Sequence, residues 1–160
     1  MTNSASHRVF FAGIGAAFAI LFGSLLFISP ADAPGYERAG VAFPDKNVLV
    51  SADIADTAEK RARGLSGRER LAPGEGMWFI FEAEGRHGFW MKDMHFAIDI
   101  IWLDERLHIV DMWEDASPES YPSIVAPKGP AKYVLEVPAG FAKMHSLAIG
   151  DRAEVSQQSE

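Results

Sequence analysis

From Val48 onward the hydrophobic positions fall in short runs separated by turn residues, which is the spacing of strands and not of long helices. Val48-Leu49-Val50-Ser51-Ala52-Asp53-Ile54 is rich in β-branched residues and predicts the first strand. Further strands are predicted at Met77 to Phe81, His87 to Met91, Ile98 to Leu103, Leu107 to Trp113, Lys132 to Val137 and Arg152 to Val155. Glu84-Gly85-Arg86 and Asp104-Glu105-Arg106 have the composition of tight connections, and Asp115 to Pro130, with four prolines, that of a longer loop. One segment breaks the pattern: Thr57 to Arg63 is helix-compatible, Asp56 and Glu59 stand at capping-box spacing, and Gly64 sits where a helix stops. A helical turn is also expected within Gly140 to Ile149. These elements imply a mainly β fold class with a minor α component: a small β-barrel-like or strongly bent antiparallel sheet carrying one or two short helices.

The N-terminus obeys a different rule. Val9 to Ile28 holds 20 consecutive uncharged residues, and such a helix at about 1.5 Å per residue matches the roughly 30 Å hydrocarbon core of a bilayer. Arg8 before it places the N-terminus in the cytoplasm and the chain beyond Ile28 outside. Its length suits an anchor in the inner membrane; the small residues of Ser29-Pro30-Ala31 and Ala31-Asp32-Ala33 suit a cleaved signal peptide, with Ala31 the better cleavage position because Pro34 follows Ala33. Both alternatives make the domain extracytoplasmic, in a periplasm. The expected organisation is residues 1–33 as signal peptide or anchor, 34–44 as linker, 45–155 as the domain and 156–160 as a disordered tail.

Charge and composition narrow the function. The chain carries 15 Lys and Arg against 22 Asp and Glu, a net charge of −7, and residues 1–33 contribute only Arg8 and Asp32 to that balance. An acidic domain is a poor partner for nucleic acid, which needs a basic face. The basic residues Lys60, Arg61, Arg63, Arg68 and Arg70 cluster in sequence, as a solvated helix face and the turn after it. Cysteine is absent, which removes disulfides, zinc-thiolate sites and thiol nucleophiles. No HExxH, GxSxG, Walker or GxGxxG motif stands in the chain, and nothing in it implies a bound cofactor.

Several separated blocks carry a family likeness. Thr57 through Gly64-Leu65 and Arg68, then Gly76-Met77, Phe89-Trp90-Met91-Lys92, Asp99-Ile100-Ile101, Leu135-Glu136 with Gly140, and Gly150-Asp151 resemble, in order, the signature of the domain of unknown function 192 family. The resemblance spans roughly residues 45 to 155 and implies a compact β-barrel-like fold with a small helical component, often exported or held behind one membrane segment. It implies no established activity. The chain departs from the family pattern at Asp93-Met94, where Asn-Thr is usual, and at Ala97-Ile98, where Pro-Leu is usual.

Candidate chemistry centres on charged residues set in apolar surroundings. Alternation from Phe96 puts Ile98, Ile100 and Trp102 on one strand face and Asp99, Ile101 and Leu103 on the other, so Asp99 is expected to be buried and paired with Lys92 or Arg68, or held by a turn. Glu136 alternates with Tyr133, Leu135 and Val137, and either faces outward or joins a polar cluster with Arg68, Lys92 and Asp99. With Trp90 as a stacking surface, Arg68, Trp90, Lys92, Asp99 and Glu136 make a patch suited to an anionic or carbohydrate ligand, and a binding or interaction module is the leading reading. A protein of the cell envelope is the other kind of partner. Two alternatives use other chemistry: a hydrolase of envelope glycans with Asp99 and Glu136 as acid and base, and a copper(I) site from Met91, Met94 and His95, whose soft ligands suit that ion.

Overall fold

The computed structural model describes residues 35–158; the apolar segment Val9 to Ile28 and the cleavage positions after it lie outside them. Among the described residues no helix is long and apolar enough to cross a membrane. Seven strands form one sheet: β1 (Arg38–Phe43), β2 (Val48–Ala55), β3 (Glu75–Gly85), β4 (Ile98–Leu103), β5 (Ile109–Ala116), β6 (Ala131–Pro138) and β7 (Glu154–Gln158), in the spatial order β5-β4-β6-β3-β2-β1-β7. Two short helices, α1 (Ala58–Arg63) and α2 (Phe141–Met144), complete it.

The sheet is mixed where an antiparallel one was expected, because β2 and β3 run parallel, with Ala52 opposite Gly76 and Ile54 opposite Trp78. A parallel pair needs a crossover connection, and the helix α1 with the loop after it supplies one. The sheet is also open: it does not close into a barrel. Its end strands approach only at one corner, where His108 bridges Arg152, Ile109 N–H donates to the Asp151 carbonyl at 2.9 Å and Ala153 N–H to that of Leu107 at 2.8 Å.

Four further differences have local causes. Residues 38–43, expected as linker, are the strand β1, because Ala39, Val41 and Phe43 alternate onto the core and pair with both β2 and β7. At the other end β7 runs on to Gln158, into the expected tail. His87 to Met91 is not a strand; only Phe89 pairs, with Val125, and the rest of the segment serves as a wall over the sheet. The cap of α1 is Thr57, whose hydroxyl accepts from Lys60 N–H, while Asp56 instead pairs with the Lys60 ammonium at 2.8 Å.

The centre of the sheet is covered on both sides. All six residues of β4 are buried, and its alternation sorts them. Ile101 and Leu103 join Val41, Val50, Trp78, Leu135, Val137 and Phe141 in one apolar cluster. Ile98, Ile100 and Trp102 join Met77, Phe79, Val134, Leu65 and Met91 in the other. Gly76 sets how tightly the central strands pack: a Cβ there would lie 2.7 Å from the Glu136 carbonyl oxygen and 2.9 Å from Val50 Cγ1. Gly76→Ala is expected to destabilise the domain by about 1–3 kcal/mol through overpacking, seen as a lower denaturation midpoint at unchanged m-value.

Candidate functional site

Glu136 and Asp99 are both buried carboxylates, and the sheet separates them. In the β4–β6 register Glu136 faces Ile100 and Asp99 faces Val137, so the two side chains emerge on opposite faces. The expected polar cluster therefore divides.

Asp99 is fully buried and does not pair with Lys92 or Arg68. Its Oδ1 accepts from Asp115 N–H at 2.9 Å and Gly140 N–H at 3.1 Å, and its Oδ2 from Ala142 N–H at 2.8 Å. Gly140, in the left-handed conformation at φ 81°, is the N-cap of α2, so this carboxylate covers amides that a four-residue helix leaves unpaired and ties β4 to β5 and α2. A turn held by the carboxylate was one of the expected outcomes, and it makes Asp99 a structural group.

Glu136 is in the opposite condition. It is 5 % exposed, and its Oε2 has no hydrogen-bond partner. It lies in a pocket of about 260 Å³ whose walls are Phe79, Phe81, Phe89, Trp90, Met94, Leu65 and the segment Arg61–Gly64 with Ser66. Burial pushes its carboxyl up to about 8, with the Arg68 guanidinium pulling the other way. Near neutral pH it is mostly a neutral acid, able to donate and accept a hydrogen bond.

The pocket walls are stitched together by their loops. Ser66 Oγ donates to the Lys92 carbonyl at 2.8 Å and Gly67 N–H to the Asp93 carbonyl at 2.8 Å, which joins the loop after α1 to the segment carrying Trp90. Arg61 donates to the Asp56 and Ile80 carbonyls at 2.7 and 2.8 Å and lies over the Phe81 ring. Phe89 packs edge-on against Phe79 and Trp102. Trp90 is 47 % exposed at the mouth, beside Tyr121, with the Lys92 ammonium 6.0 Å from its ring centre.

Of the five residues expected to form a ligand site, Trp90 and Glu136 line this pocket, Lys92 stands over Trp90, and Arg68 acts on Glu136 through its charge while its Nη2 bonds Asp53 at 2.8 Å. Asp99 lies elsewhere. The hydrolase alternative required Asp99 and Glu136 to flank one pocket, and the sheet stands between them. Of the candidate soft ligands, Met91 is enclosed in the core, Met94 lines the pocket and His95 is exposed. Sequence reasoning missed Arg61 and Arg63, taken as a solvated helix face, and gives Phe79, Phe81 and Phe89 to the core in preference to a stacking surface, where the structure makes them pocket walls. The available signal was the phase of Met77, Phe79 and Phe81, alternate residues of a strand that pairs beside Glu136.

The two carboxylates predict opposite mutational outcomes. Asp99→Ala removes the acceptor of three N–H groups, that of Ala142 buried and those of Asp115 and Gly140 partly so, and is expected to cost about 3–5 kcal/mol, with Asp99→Asn costing somewhat less, by chemical denaturation. Glu136→Met is expected to stabilise the domain by about 1–3 kcal/mol at neutral pH, because it replaces an unpaired buried acid with an apolar side chain of similar length. The acid also gives a pH signature. Glutamate in the unfolded chain releases its proton near 4.5 and folded Glu136 near 8, so between those values the folded state binds more protons. Stability then falls as pH rises through that window, and the slope is absent from Glu136→Gln; the gap between the two proteins should reach several kcal/mol by about pH 8.

Comparison with known proteins agrees with the fold. The family described as DUF192, an uncharacterized ACR, matches residues 41–155. A UPF0127 protein of Pyrococcus abyssi is 36% identical over 112 residues, which cover 64% of this chain and 83% of that one. A UPF0127 protein of Thermococcus sibiricus is 35% identical over 114 residues, 67% of each chain. The crystal structure of a protein of unknown function from Novosphingobium aromaticivorans superposes with a TM-score of 0.70 at 25% identity, covering 78% of this chain and 89% of that one. With a family match across most of its length and the sheet to go with it, this chain belongs to the DUF192 family.

Proposed function

We propose that the domain is a non-enzymatic, extracytoplasmic binding module that takes a small ligand into the pocket above Glu136. One observation carries this reading: a buried carboxyl with an unpartnered oxygen, set among aromatic rings in a cavity that opens to the surface. An unpaired buried acid costs stability, and a fold retains it at no gain unless something supplies the missing partner. A few polar groups converging in an otherwise apolar concavity is the usual make-up of a ligand site. The extracytoplasmic placement rests on the apolar segment Val9 to Ile28 and the small residues after it.

Catalysis is not part of the proposal. Glu136 is the one carboxyl among the residues lining the pocket, whereas acid–base hydrolysis needs a second group within reach.

Thermal unfolding of the full chain in a non-ionic detergent, screened against small organic acids, sugars and short peptides, tests the reading. A compound at about a hundred times its dissociation constant should add roughly 2.7 kcal/mol to stability. The same compound should leave Ala62→Trp unmoved, since Ala62 is an exposed helix residue on the pocket wall and the larger side chain fills the space. A panel that moves neither protein, or both equally, would refute a pocket ligand.

A further inference from the structure

The charge around the pocket opposes that of the chain as a whole. The chain carries a net −7, yet the pocket is lined by Arg61 and Arg63 and has Lys92 at its mouth over Trp90. Arg61 spends hydrogen bonds on two backbone carbonyls, and Arg68 is paired with Asp53. Arg63 is exposed, and among the described residues its guanidinium makes no hydrogen bond or ion pair. Its fork of donors matches a carboxylate. At the inner end, Glu136 offers a carboxyl with no partner, and the walls between the two ends are aromatic.

We propose that the pocket selects a small amphipathic carboxylate, with its anionic end at Arg63, its flat apolar body against Phe79, Phe89 and Trp90, and a hydroxyl or carbonyl oxygen directed at Glu136. This rests on the pocket being a ligand site and names the class of ligand. A cationic ligand would have to pass Arg63 and Lys92 to reach Glu136, and like-charge approach in a partly desolvated site is unfavourable. An uncharged sugar would use the rings and Glu136 but leave Arg63 idle. The volume of about 260 Å³ admits a body of the size of one substituted ring. An aromatic or short acyl acid with an oxygen at its far end therefore fits.

Four commercial compounds of one shape separate the contributions: 4-hydroxyphenylacetate, its amide 4-hydroxyphenylacetamide, the amine tyramine, and phenylacetate without the hydroxyl. Binding is measured by calorimetry or ligand-observed NMR on the full chain in non-ionic detergent. The acid is expected to bind at least about tenfold more tightly than its amide or tyramine, the scale of one charge-assisted hydrogen bond. Arg63→Gln should remove the advantage of the acid over the amide, and Glu136→Met the advantage of 4-hydroxyphenylacetate over phenylacetate, each leaving the other preference in place. Equal binding of acid, amide and amine, or stronger binding of tyramine, would overturn the anionic assignment while leaving the pocket reading intact. Equal binding of the two acids to the wild-type chain would overturn the assignment of an oxygen to Glu136. If no compound binds, or binding persists in Ala62→Trp, the pocket reading itself fails and this one with it.

Discussion

Coverage of the central strands on both faces is the constraint on which the rest of this structure depends. Every residue of β4 is buried, and in β6 the run Val134 to Val137 is buried as well. A polar side chain on such a strand cannot reach bulk water, so the protein must supply its partners or bear the cost. Asp99 and Glu136 sit one register step apart on paired strands and meet that requirement in opposite ways. Asp99 points into the side where α2 begins, and three amides that the short helix and its neighbouring strand leave unpaired turn toward it. Glu136 points to the side where a pocket opens, and its Oε2 is left without a partner.

The contrast separates structural from functional polarity without reference to residue type. A carboxylate holding a helix start is part of the scaffold, because its charge is matched by oriented N–H dipoles and its removal leaves donors exposed to an apolar interior. A carboxyl kept neutral by burial stores an unfavourable condition that a ligand can relieve. The same sheet supplies both, since the pleat sends successive residues to opposite sides. Gly76 contributes to this placement: with no Cβ to hold the neighbouring strand away, its backbone lies against the Glu136 carbonyl and Val50.

The pocket lies between the sheet, which supplies Phe79, Phe81 and Glu136, and the helix and loop segments packed over it. The segment from Gly88 to Met94 overlaps His87 to Met91, which reads as a strand by its apolar residues, yet it joins none of the seven strands, and only Phe89 bridges to Val125. It is instead held from above by the loop after α1, through Ser66 to the Lys92 carbonyl and Gly67 to that of Asp93. Phe89 of this segment packs edge-on against Phe79 of β3, and Trp90 and α1 contribute further walls of the pocket. That arrangement places guanidinium groups of α1 near an acid of β6, although about seventy residues separate them in sequence.

Local pattern alone was enough for the class of fold, most of the strands, the short helix ending at Gly64 and the burial of Asp99, because alternation, β-branching and turn residues are properties that the chain carries wherever it folds. The family likeness in its separated blocks was equally legible. The parallel pairing of β2 with β3, the open edge between β5 and β7, and the strand made from residues 38–43 emerged only on folding, since each depends on which distant strand offers its hydrogen bonds. The same holds for the site. Arg61 and Arg63 look like a solvated helix face, and Asp99 and Glu136 look like a matched pair, until strand register sends the two acids to opposite faces and packing brings α1 beside only one of them. Register and packing are relations between segments remote in sequence, and no single segment encodes them.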